Sequence, residues 1–252
     1  MKTALITGAT SGFGEAIAYR LAKLNYQLII TGRRRERLSK LKNELINIYK
    51  NDVIDLCFDV RDHAACKEAI LSLPANFRNI DLLINNAGLA AGASPFNESL
   101  TSDFEQMIDT NIKGLLYMTE LIIPTMIERK SGHIINISSI AGVEVYPNGH
   151  VYCATKHAVN AITKGLRLDL VKYGIRVSSV SPGMAETEFS IVRYHGDTEK
   201  ASNVYQGIIP LCADDIADSV EFIVTRPKHV CIQDILLTPT QQANTYISNR
   251  KN

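Results

Sequence analysis

The sequence predicts an α/β fold in which a doubly wound parallel sheet of about seven strands is flanked by helices. Short apolar runs alternate along the chain with longer amphipathic stretches. This alternation is typical of βαβ units whose strands are buried on both faces. The 252 residues are 46% hydrophobic, which is enough to bury one large core. Because neither a low-complexity linker nor an internal repeat divides the sequence, we expect a single domain over residues 1–252.

Each predicted strand is a short apolar run, and amphipathic segments separate the runs. The predicted strands cover, in chain order, residues 3–8, 27–32, 53–60, 80–88, 133–139, 175–183 and 230–239. Among the predicted helices, 102–128 and 151–172 are long and rich in apolar residues. Residues 186–207 are polar and weakly periodic, and such a long stretch in an α/β domain often binds a ligand. We expect this stretch to be a substrate lid.

The charge balance disfavours large polyanionic partners. Lys and Arg number 27 against 26 acidic residues, and the net charge of +1 provides no field that would attract nucleic acid or an anionic membrane. No segment approaches the ~20 consecutive apolar residues of a membrane span, and the N-terminus lacks the pattern of a signal peptide. We therefore expect a small-molecule substrate and neither a nucleic-acid nor a membrane partner.

The cysteines and histidines do not show the spacing of a metal site. The five cysteines are scattered without a C-x-x-C pair, and the six histidines form no H-E-x-x-H motif. An odd number of scattered cysteines is typical of a reducing compartment. The sequence thus predicts a cytoplasmic protein without a metal cofactor.

Glycines follow the first predicted strand in the stretch TGATSGFG (7–14) and lead directly into a helix. Gly8, Gly12 and Gly14 give the spacing G-x-x-x-G-x-G. Glycines at such a turn let backbone N–H groups approach a pyrophosphate at the positive end of the helix. A purely structural turn is the alternative, but the position between the first strand and the first helix favours nucleotide binding. The predicted fold is therefore Rossmann-like.

The second predicted strand ends at TGRRRERL (31–38). Proteins that bind NAD often place an acidic residue there, against the ribose 2′-hydroxyl. Here the first acidic residue is Glu36, and Arg33 and Arg34 precede it. A guanidinium is well shaped for charge-assisted bonds to a 2′-phosphate, so the sequence favours NADP over NAD. The alternative is a solvated basic helix start, which the helix dipole disfavours slightly.

A tyrosine and a lysine stand four residues apart in YCATK (152–156). If this stretch is helical, Tyr152 and Lys156 lie one turn apart on one face. Such pairs also occur on solvated helices, so the pair needs support from the rest of the chain. Attraction across ~5 Å at an effective dielectric constant of ~20 would lower the phenol pKa from ~10 by about 2.4. We expect this effect only where water is excluded.

TGATSGFG, NNAG (85–88), Asn111, Ser139 and YCATK occur together and in this order. In this combination the whole chain resembles the short-chain dehydrogenase/reductase family. The stretches TGRRRERL, HIINISSIAG (133–142) and TEFSIVRYHGD (187–197) are similar to those of the NADP-dependent 3-hydroxy acid dehydrogenases that act on serine and allo-threonine. The resemblance implies hydride transfer between NADP(H) and small 3-hydroxy acids. It also implies a homotetramer built through long helices.

The resemblance implies four catalytic residues. Tyr152 would exchange a proton with the substrate oxygen. Lys156 would bond the nicotinamide ribose and favour the ionised phenol. Ser139 would polarise the substrate oxygen, with Ser138 as the local competitor for this role. Asn111 would hold a water molecule that links the lysine to solvent.

The implied ligand contacts come mainly from the ends of the predicted strands, where open α/β sheets bind ligands. The cofactor contacts are Gly8, Ala9, Thr10, Ser11, Gly12, Phe13, Gly14, Arg33, Arg34, Asp59, Val60, Asn86, Ala87, Gly88, Tyr152, Lys156, Pro182, Gly183 and Thr187. The substrate contacts are Ser139, Tyr152 and Arg193. Arg193 is the candidate cation for a substrate carboxylate, and a solvated arginine is the alternative at this position.

Two other functions share parts of this pattern. A reductase of a ketone, sugar or acyl thioester would use the same catalytic residues and differ in the lid. A non-catalytic NADP sensor would need the glycine turn but not the Tyr, Lys and Ser set. Because that set is present, we expect an enzyme.

Overall fold

The computed structural model describes residues 1–251, in which seven parallel strands form one sheet of order β3-β2-β1-β4-β5-β6-β7. The strands are β1 (Thr3–Ile6), β2 (Gln27–Gly32), β3 (Val53–Cys57), β4 (Ile80–Asn85), β5 (Gly132–Ile137), β6 (Ile175–Pro182) and β7 (Asp234–Leu237). Every neighbouring pair is parallel. The sheet confirms the predicted fold class, although most strands end before the apolar run that predicted them.

Successive side chains of a strand enter two different cores. In β1, Ala4 and Ile6 pack into the core on one face of the sheet, and Leu5 packs into the core on the other. All three side chains are fully buried. A strand buried on both faces needs apolar residues at every position, which is why the sequence shows continuous apolar runs rather than alternation.

Helices cover both faces of the sheet. They are α1 (Gly12–Lys23), α2 (Arg35–Tyr49), α3 (His63–Leu71), α4 (Thr101–Ile108), α5 (Leu115–Glu128), α6 (His150–Leu170), α7 (Phe189–Arg193), α8 (Thr198–Asn203) and α9 (Ala213–Val224). Helices α1, α2 and α9 bury apolar side chains in one core, and α3, α5 and α6 bury theirs in the other. Within residues 1–251, no helix combines the length and apolarity that crossing a bilayer requires.

The order of the strands places a crevice between β1 and β4. From β1 the chain proceeds outward to β2 and β3, and it then returns to build β4 to β7 on the other side. Open α/β sheets bind ligands at the carboxyl ends of the strands where the order reverses. The glycine turn after β1 and the NNAG stretch (85–88), which begins at the last residue of β4, both lie at this point.

Two segments differ from the predicted elements. A π-helical turn at Asp109–Gly114 separates α4 from α5, where the sequence predicted one helix over 102–128. Residues 186–207 contain the short helices α7 and α8, joined through His195 and Gly196, which have positive φ. Helices of one or two turns are too short to show a helical period in the sequence.

His133 is a buried histidine in β5. The Ser178 hydroxyl donates to the Ile232 carbonyl at 2.6 Å, so its oxygen accepts a hydrogen bond from His133 Nε2 at 2.8 Å. Nδ1 has no partner among residues 1–251. Burial lowers the pKa of His133 to about 3, and Arg176 and Lys2 add to this effect. The imidazole is therefore neutral in the folded protein at physiological pH.

We expect His133 to make the folded protein less stable as the pH falls. A histidine in the unfolded chain has a pKa of ~6.5, so below that pH the unfolded state binds a proton that the folded state excludes. This group should reduce the free energy of unfolding by about 2 kcal/mol between pH 7 and about pH 5. Denaturant unfolding at the two pH values measures this change. Between them, the free energy of unfolding of His133→Gln should fall by about 2 kcal/mol less than that of the unmodified protein. The exposed His229 provides the control variant His229→Gln, and an unchanged loss in His133→Gln would contradict the assignment.

Candidate active site

The turn between β1 and α1 requires glycine at two positions. Gly8 has a φ of +68°, a conformation that residues with a Cβ atom rarely adopt. At Gly14 an added Cβ would lie 2.4 Å from the Gly8 carbonyl oxygen, so only glycine allows this close packing. The turn thereby brings the N-terminus of α1 to the carboxyl edge of the sheet. The N–H groups at a helix N-terminus suit a phosphate.

A first cavity, of about 270 Å³, lies beside this turn. The predicted cofactor residues that line it are Gly8, Thr10, Ser11, Gly12, Phe13, Arg33, Arg34, Asp59, Val60, Asn86, Ala87, Gly88, Tyr152, Lys156 and Thr187. They come from the ends of several strands, from α6 and from the 186–207 segment. The structure therefore brings most of the predicted set to one space.

Four predicted cofactor residues lie outside the lining of the first cavity, namely Ala9, Gly14, Pro182 and Gly183. Ala9 is fully buried in the core. At Gly183 a Cβ atom would lie only 2.3 Å from Gln242 Oε1, so this glycine packs against the C-terminal part of the chain. The structure therefore does not place these four predicted cofactor contacts in the first cavity.

The lining also contains residues that were not predicted as cofactor contacts, namely Gly32, Phe58, Leu89, Thr110, Ile137, Ser138, Glu188, Phe189 and Val192. Several of them are direct neighbours of predicted residues at strand ends, so extending the strand-end prediction by one position would have found them. Glu188, Phe189 and Val192 belong to the 186–207 segment. Their place in the wall depends on tertiary packing that no local pattern reveals.

The two predicted phosphate-binding arginines line the first cavity at the end of β2. Arg34 donates from Nε and Nη2 to Thr10 Oγ1, at 3.0 and 2.8 Å, and from Nη2 to Ser11 Oγ at 2.7 Å. The Arg33 side chain is 56% exposed and lies 3.7 Å from the Asp59 carboxylate. The Arg34 guanidinium is therefore bound to the glycine turn, and the Arg33 guanidinium lies beside Asp59 in the wall of the same cavity.

Tyr152 and Lys156 lie one turn apart on α6, and both are buried. Lys156 Nζ is 5.8 Å from the centre of the Tyr152 ring. The same ammonium group donates to the Ile137 carbonyl oxygen, at the end of β5, across 3.0 Å. The pair thus has the helical spacing that the sequence predicted.

The pKa of the Tyr152 phenol is raised, and the predicted lowering by Lys156 was wrong for this arrangement. Burial is the largest cause, proximity to Tyr146 adds to it, and a hydrogen bond with the Ser139 side chain offsets only part of it. Burial also lowers the pKa of Lys156 to about 8. Desolvation acts on both groups and favours the neutral phenol and the neutral amine. Burial is therefore the largest influence on the pKa of each of the two groups.

Ser139 is the serine whose side chain reaches Tyr152. It precedes the short 3-10 turn Ile140–Gly142, and its Oγ accepts from the Ala141 N–H at 3.1 Å. Its hydrogen bond with Tyr152 acts to lower the pKa of the phenol. Ser138 instead donates to the Lys156 carbonyl oxygen at 3.4 Å. Of the two adjacent serines, Ser139 is the one that interacts with the phenol, whereas Ser138 lines the first cavity and Ser139 lines neither cavity.

Asn111 lies in the π-helical turn and connects the chain after β4 to α6. Its Oδ1 accepts from Leu89 N and its Nδ2 donates to Leu89 O, both at 2.8 Å. Nδ2 also donates to Thr155 Oγ1 at 3.0 Å. An added Cβ at Gly88 would lie 3.3 Å from Asn111 Oδ1 and 3.5 Å from Lys156 Nζ. Asn111 is therefore close to Lys156, and the Asn111 side chain is hydrogen-bonded to Leu89 and Thr155.

A second cavity, of about 420 Å³, shares Tyr152 with the first. Its wall comes from the chain after β4, from α4, from the N-terminus of α6 and from the 186–207 segment. The charged and polar side chains in the wall include Glu98, Ser99, Asp103, His150, Arg193, His195 and Lys200. Tyr152 therefore lies between the first cavity and the second.

Arg193 is a partly buried cation in the wall of the second cavity. Its Nη1 donates to the Tyr146 hydroxyl at 3.0 Å and its Nε to the Gly92 carbonyl at 3.3 Å. The guanidinium lies over the Tyr146 ring, 5.4 Å from its centre. In the part of the chain that the structure describes, no carboxylate forms an ion pair with it. A cation in such surroundings favours an anionic ligand.

A family model for short chain dehydrogenases matches residues 2–196. The matched range contains the glycine turn, the π-helical turn, the Tyr152–Lys156 pair and α7. The chain belongs to the short-chain dehydrogenase family. This membership confirms the resemblance predicted from the motifs.

Members of the short-chain dehydrogenase family are similar to this chain over nearly its whole length. A serine 3-dehydrogenase of Rhizobium radiobacter is 46% identical over 241 residues, which cover 96% of this chain and 95% of that protein. An NADP-dependent 3-hydroxy acid dehydrogenase of Salmonella typhi is 47% identical over 240 residues, which cover 95% of each. Both relatives fall in the group that the motifs indicated.

Solved structures of short-chain dehydrogenases share this fold. The closed form of a serine dehydrogenase, complexed with NADP⁺, has a TM-score of 0.92 and 44% identity, covering 99% of this chain and 100% of that one. An alcohol dehydrogenase of the archaeon Thermococcus sibiricus, complexed with 5-hydroxy-NADP, has a TM-score of 0.86 and 26% identity, covering 98% and 100%. Among residues 1–251 of this chain, no group of three or more His, Cys, Asp or Glu side chains is arranged to hold a metal ion.

Proposed function

We propose that this chain is an NADP-dependent oxidoreductase acting on small 3-hydroxy acids of the serine, L-allo-threonine and 3-hydroxypropionate type. It transfers a hydride between NADP(H) and the carbon that bears the hydroxyl. The observation that carries the proposal is that Tyr152 lines two cavities, one beside the glycine turn and one beside Arg193. A phenol at this junction can exchange a proton with a substrate in one cavity while the other holds the cofactor.

The residues of the first cavity fit a dinucleotide phosphate. The close packing at Gly14 brings the N-terminus of α1 near, and its N–H groups suit a pyrophosphate. Arg33 and Arg34 are the cations for the ribose 2′-phosphate. Bound NADP(H) supplies the hydride acceptor or donor. The NADP⁺ complex of a serine dehydrogenase that is 44% identical to this chain supports this choice of cofactor.

Tyr152 is the acid–base residue of the proposed reaction. In the oxidation direction its oxygen accepts the proton of the substrate hydroxyl, and in the reduction direction it returns that proton. The Ser139 hydroxyl donates a hydrogen bond to the substrate oxygen as negative charge develops. With a pKa of about 8, Lys156 is still protonated at pH 7, and its ammonium group attracts the negative charge that develops on the phenol oxygen during proton transfer. Asn111, whose Oδ1 lies close to Lys156, holds the water molecule that links the lysine to solvent, as the family resemblance implies.

Arg193 distinguishes this function from that of related reductases. A free carboxylate can pair with the guanidinium in the second cavity, whereas a ketone, a sugar or an acyl thioester has no such group to offer. The two relatives named as serine and 3-hydroxy acid dehydrogenases, 46% and 47% identical, support the same substrate class. We therefore favour hydroxy acids over these alternatives and over a non-catalytic sensor.

A substrate panel tests the proposed function. NADP⁺ reduction is followed with L-serine, L-allo-threonine and 3-hydroxypropionate, beside simple secondary alcohols and 3-hydroxyacyl thioesters. We expect kcat/KM to be at least about tenfold higher for the acids, since a partly buried cation without its counter-ion opposes binding of the neutral compounds. Turnover confined to the alcohols or thioesters would contradict the proposal.

Replacement of Arg193 is expected to weaken substrate binding specifically. Arg193→Met removes the cation and should raise the KM for L-serine about 10- to 100-fold, the range of a charged hydrogen bond, with kcat changed less than about threefold. Lys200→Met is the matched control, because Lys200 lines the same cavity but is 70% exposed and paired with Asp197. An Arg193→Met enzyme with the unmodified KM would remove Arg193 from the substrate site.

We further propose a cytoplasmic homotetramer, as the family resemblance implies. Exposed apolar side chains on the long helices support association, among them Leu116 on α5 and Leu168 on α6, which are 41% and 78% exposed. Light scattering of the purified protein counts the chains in a particle, and a monomer would contradict the tetramer.

A further inference from the structure

One carboxylate of the 186–207 segment is held by two arginines of the α2 region. Glu188 Oε2 accepts from Arg34 Nη1 at 2.8 Å, and Glu188 Oε1 accepts from Arg37 Nη1 at 2.6 Å. Glu188 immediately precedes α7, and Arg34 immediately precedes α2. The two ion pairs thus fasten the start of α7 to the start of α2.

Arg34 belongs to two sets of contacts at once. Besides Glu188, its guanidinium donates to Thr10 and Ser11 in the glycine turn. Arg37 follows one turn later on α2 and reaches Glu188 from the same side. The covering segment is therefore joined to the turn that receives the pyrophosphate and to the arginines beside the ribose.

The start of α2 carries a cluster of arginines. Arg33, Arg34 and Arg37 lie close together at the start of α2, and Glu188 pairs with two of them. Asp59 is 3.7 Å from Arg33, but it already accepts two hydrogen bonds from Arg61 at 3.0 and 2.7 Å. The unused guanidinium N–H groups suit a second anion of phosphate shape.

We propose that Glu188 is a positioning residue that latches the 186–207 segment onto the arginines of the 2′-phosphate site. Arg34 then contacts both the cofactor phosphate and the covering segment, and Arg37 holds the same carboxylate from outside the first cavity. The inference rests on the proposed function, because it takes the start of α2 as the phosphate site. Glu188 itself contacts none of the reacting groups.

The latch acts on the reaction through α7. Phe189, next to Glu188, packs edge-on against the Tyr152 ring with centroids 5.6 Å apart. Arg193 ends the same helix and lines the second cavity. Releasing Glu188 therefore loosens the wall that holds the substrate, while the Tyr152–Lys156 pair on α6 keeps its place. The expected signature is a change in KM rather than in kcat.

The test replaces one residue on each side of the ion pairs. Glu188→Gln and Arg37→Gln both leave the contacts of Arg34 with the glycine turn intact. With NADP⁺ present, we expect Glu188→Gln, which removes both ion pairs, to raise the KM for L-serine about threefold to tenfold. Arg37→Gln, which removes one of them, should raise it about twofold to fivefold, and neither variant should change kcat more than about twofold. Amide hydrogen exchange across residues 186–207 should quicken by a similar factor. The double variant should be no worse than the more severe single one, because both remove the same contact.

Two further variants separate the latch from a general effect of charge. Glu188→Asp keeps the carboxylate and should restore part of the protection from exchange. Glu199→Gln removes an exposed acid of the same segment and should leave KM and exchange unchanged. A Glu199→Gln effect equal to that of Glu188→Gln would overturn the latch.

Hydrogen exchange needs no turnover, so the latch and the proposed function can fail separately. If the unmodified protein oxidises none of the acids but exchange quickens in Glu188→Gln, the proposed substrate class fails and the latch is supported. If the unmodified protein is active and both single variants exchange at its rate, the latch is overturned. Effects of the two substitutions that simply multiply in the double variant would overturn it as well.

Discussion

Tyr152→Phe is expected to lower kcat by about 100- to 10,000-fold while NADP⁺ affinity changes less than about twofold. The substitution removes only the hydroxyl that exchanges the proton. The ring keeps its contact with Phe189, whose centroid is 5.6 Å away, so the wall between the two cavities remains. Loss of turnover with retained cofactor binding would assign the hydroxyl to chemistry rather than to packing.

The measurement combines steady-state rates with a cofactor titration followed by NADPH fluorescence. Tyr26→Phe is the matched control, since Tyr26 is also buried and burial raises its pKa as well, but it packs in the core beneath the sheet. The control should keep normal rates. A Tyr152→Phe enzyme with more than a tenth of the unmodified kcat would exclude the phenol as the main acid–base group.

Lys156→Met should lower kcat by at least about 100-fold and weaken NADP⁺ binding about tenfold. A buried ammonium that stabilises the phenolate and also bonds the cofactor affects both quantities when it is removed. Methionine keeps the length and the apolar stem of the side chain. It loses the hydrogen bond from Nζ to the Ile137 carbonyl, 3.0 Å long in this structure. The predicted double loss distinguishes Lys156 from Tyr152, which should affect turnover alone.

The double variant of Tyr152→Phe and Lys156→Met shows whether the two residues act as a unit. If the lysine works through the phenol, kcat of the double variant should be close to that of the worse single variant. Losses that multiply would mean that Lys156 does not act through Tyr152. Lys164→Met, an exposed position on the same helix, controls for the loss of a positive charge from α6.

Local patterns in the sequence were sufficient to predict the sheet and the turn that begins the site. Strands such as β1 are buried on both faces, so their apolar runs stand out at any position in the chain. The glycine turn is also visible locally, because Gly8 and Gly14, which pack against each other, are only six positions apart. The spacing of Tyr152 and Lys156 follows directly from the helical period.

What could not be predicted depends on contacts between distant segments. The pairing of Glu188 with Arg34 and Arg37 joins positions more than 150 residues apart, and no local signal marks it. The π-helical turn around Asn111 adds one residue to a helix whose sequence pattern continues through it. Burial decided the direction of the Tyr152 pKa, and the burial of one side chain depends on the packing of the whole fold.

In the proposed function, the guanidinium of Arg193 also determines which neutral molecules bind poorly. A neutral alcohol placed against it would strip away hydrating water without supplying a replacement partner, at a cost of about 1–3 kcal/mol. Discrimination against neutral alcohols would then result from the unpaired charge of Arg193 rather than from steric exclusion. Enlarging the second cavity should therefore leave the range of alcohols oxidised narrow. Replacing Arg193 with a neutral residue should broaden that range.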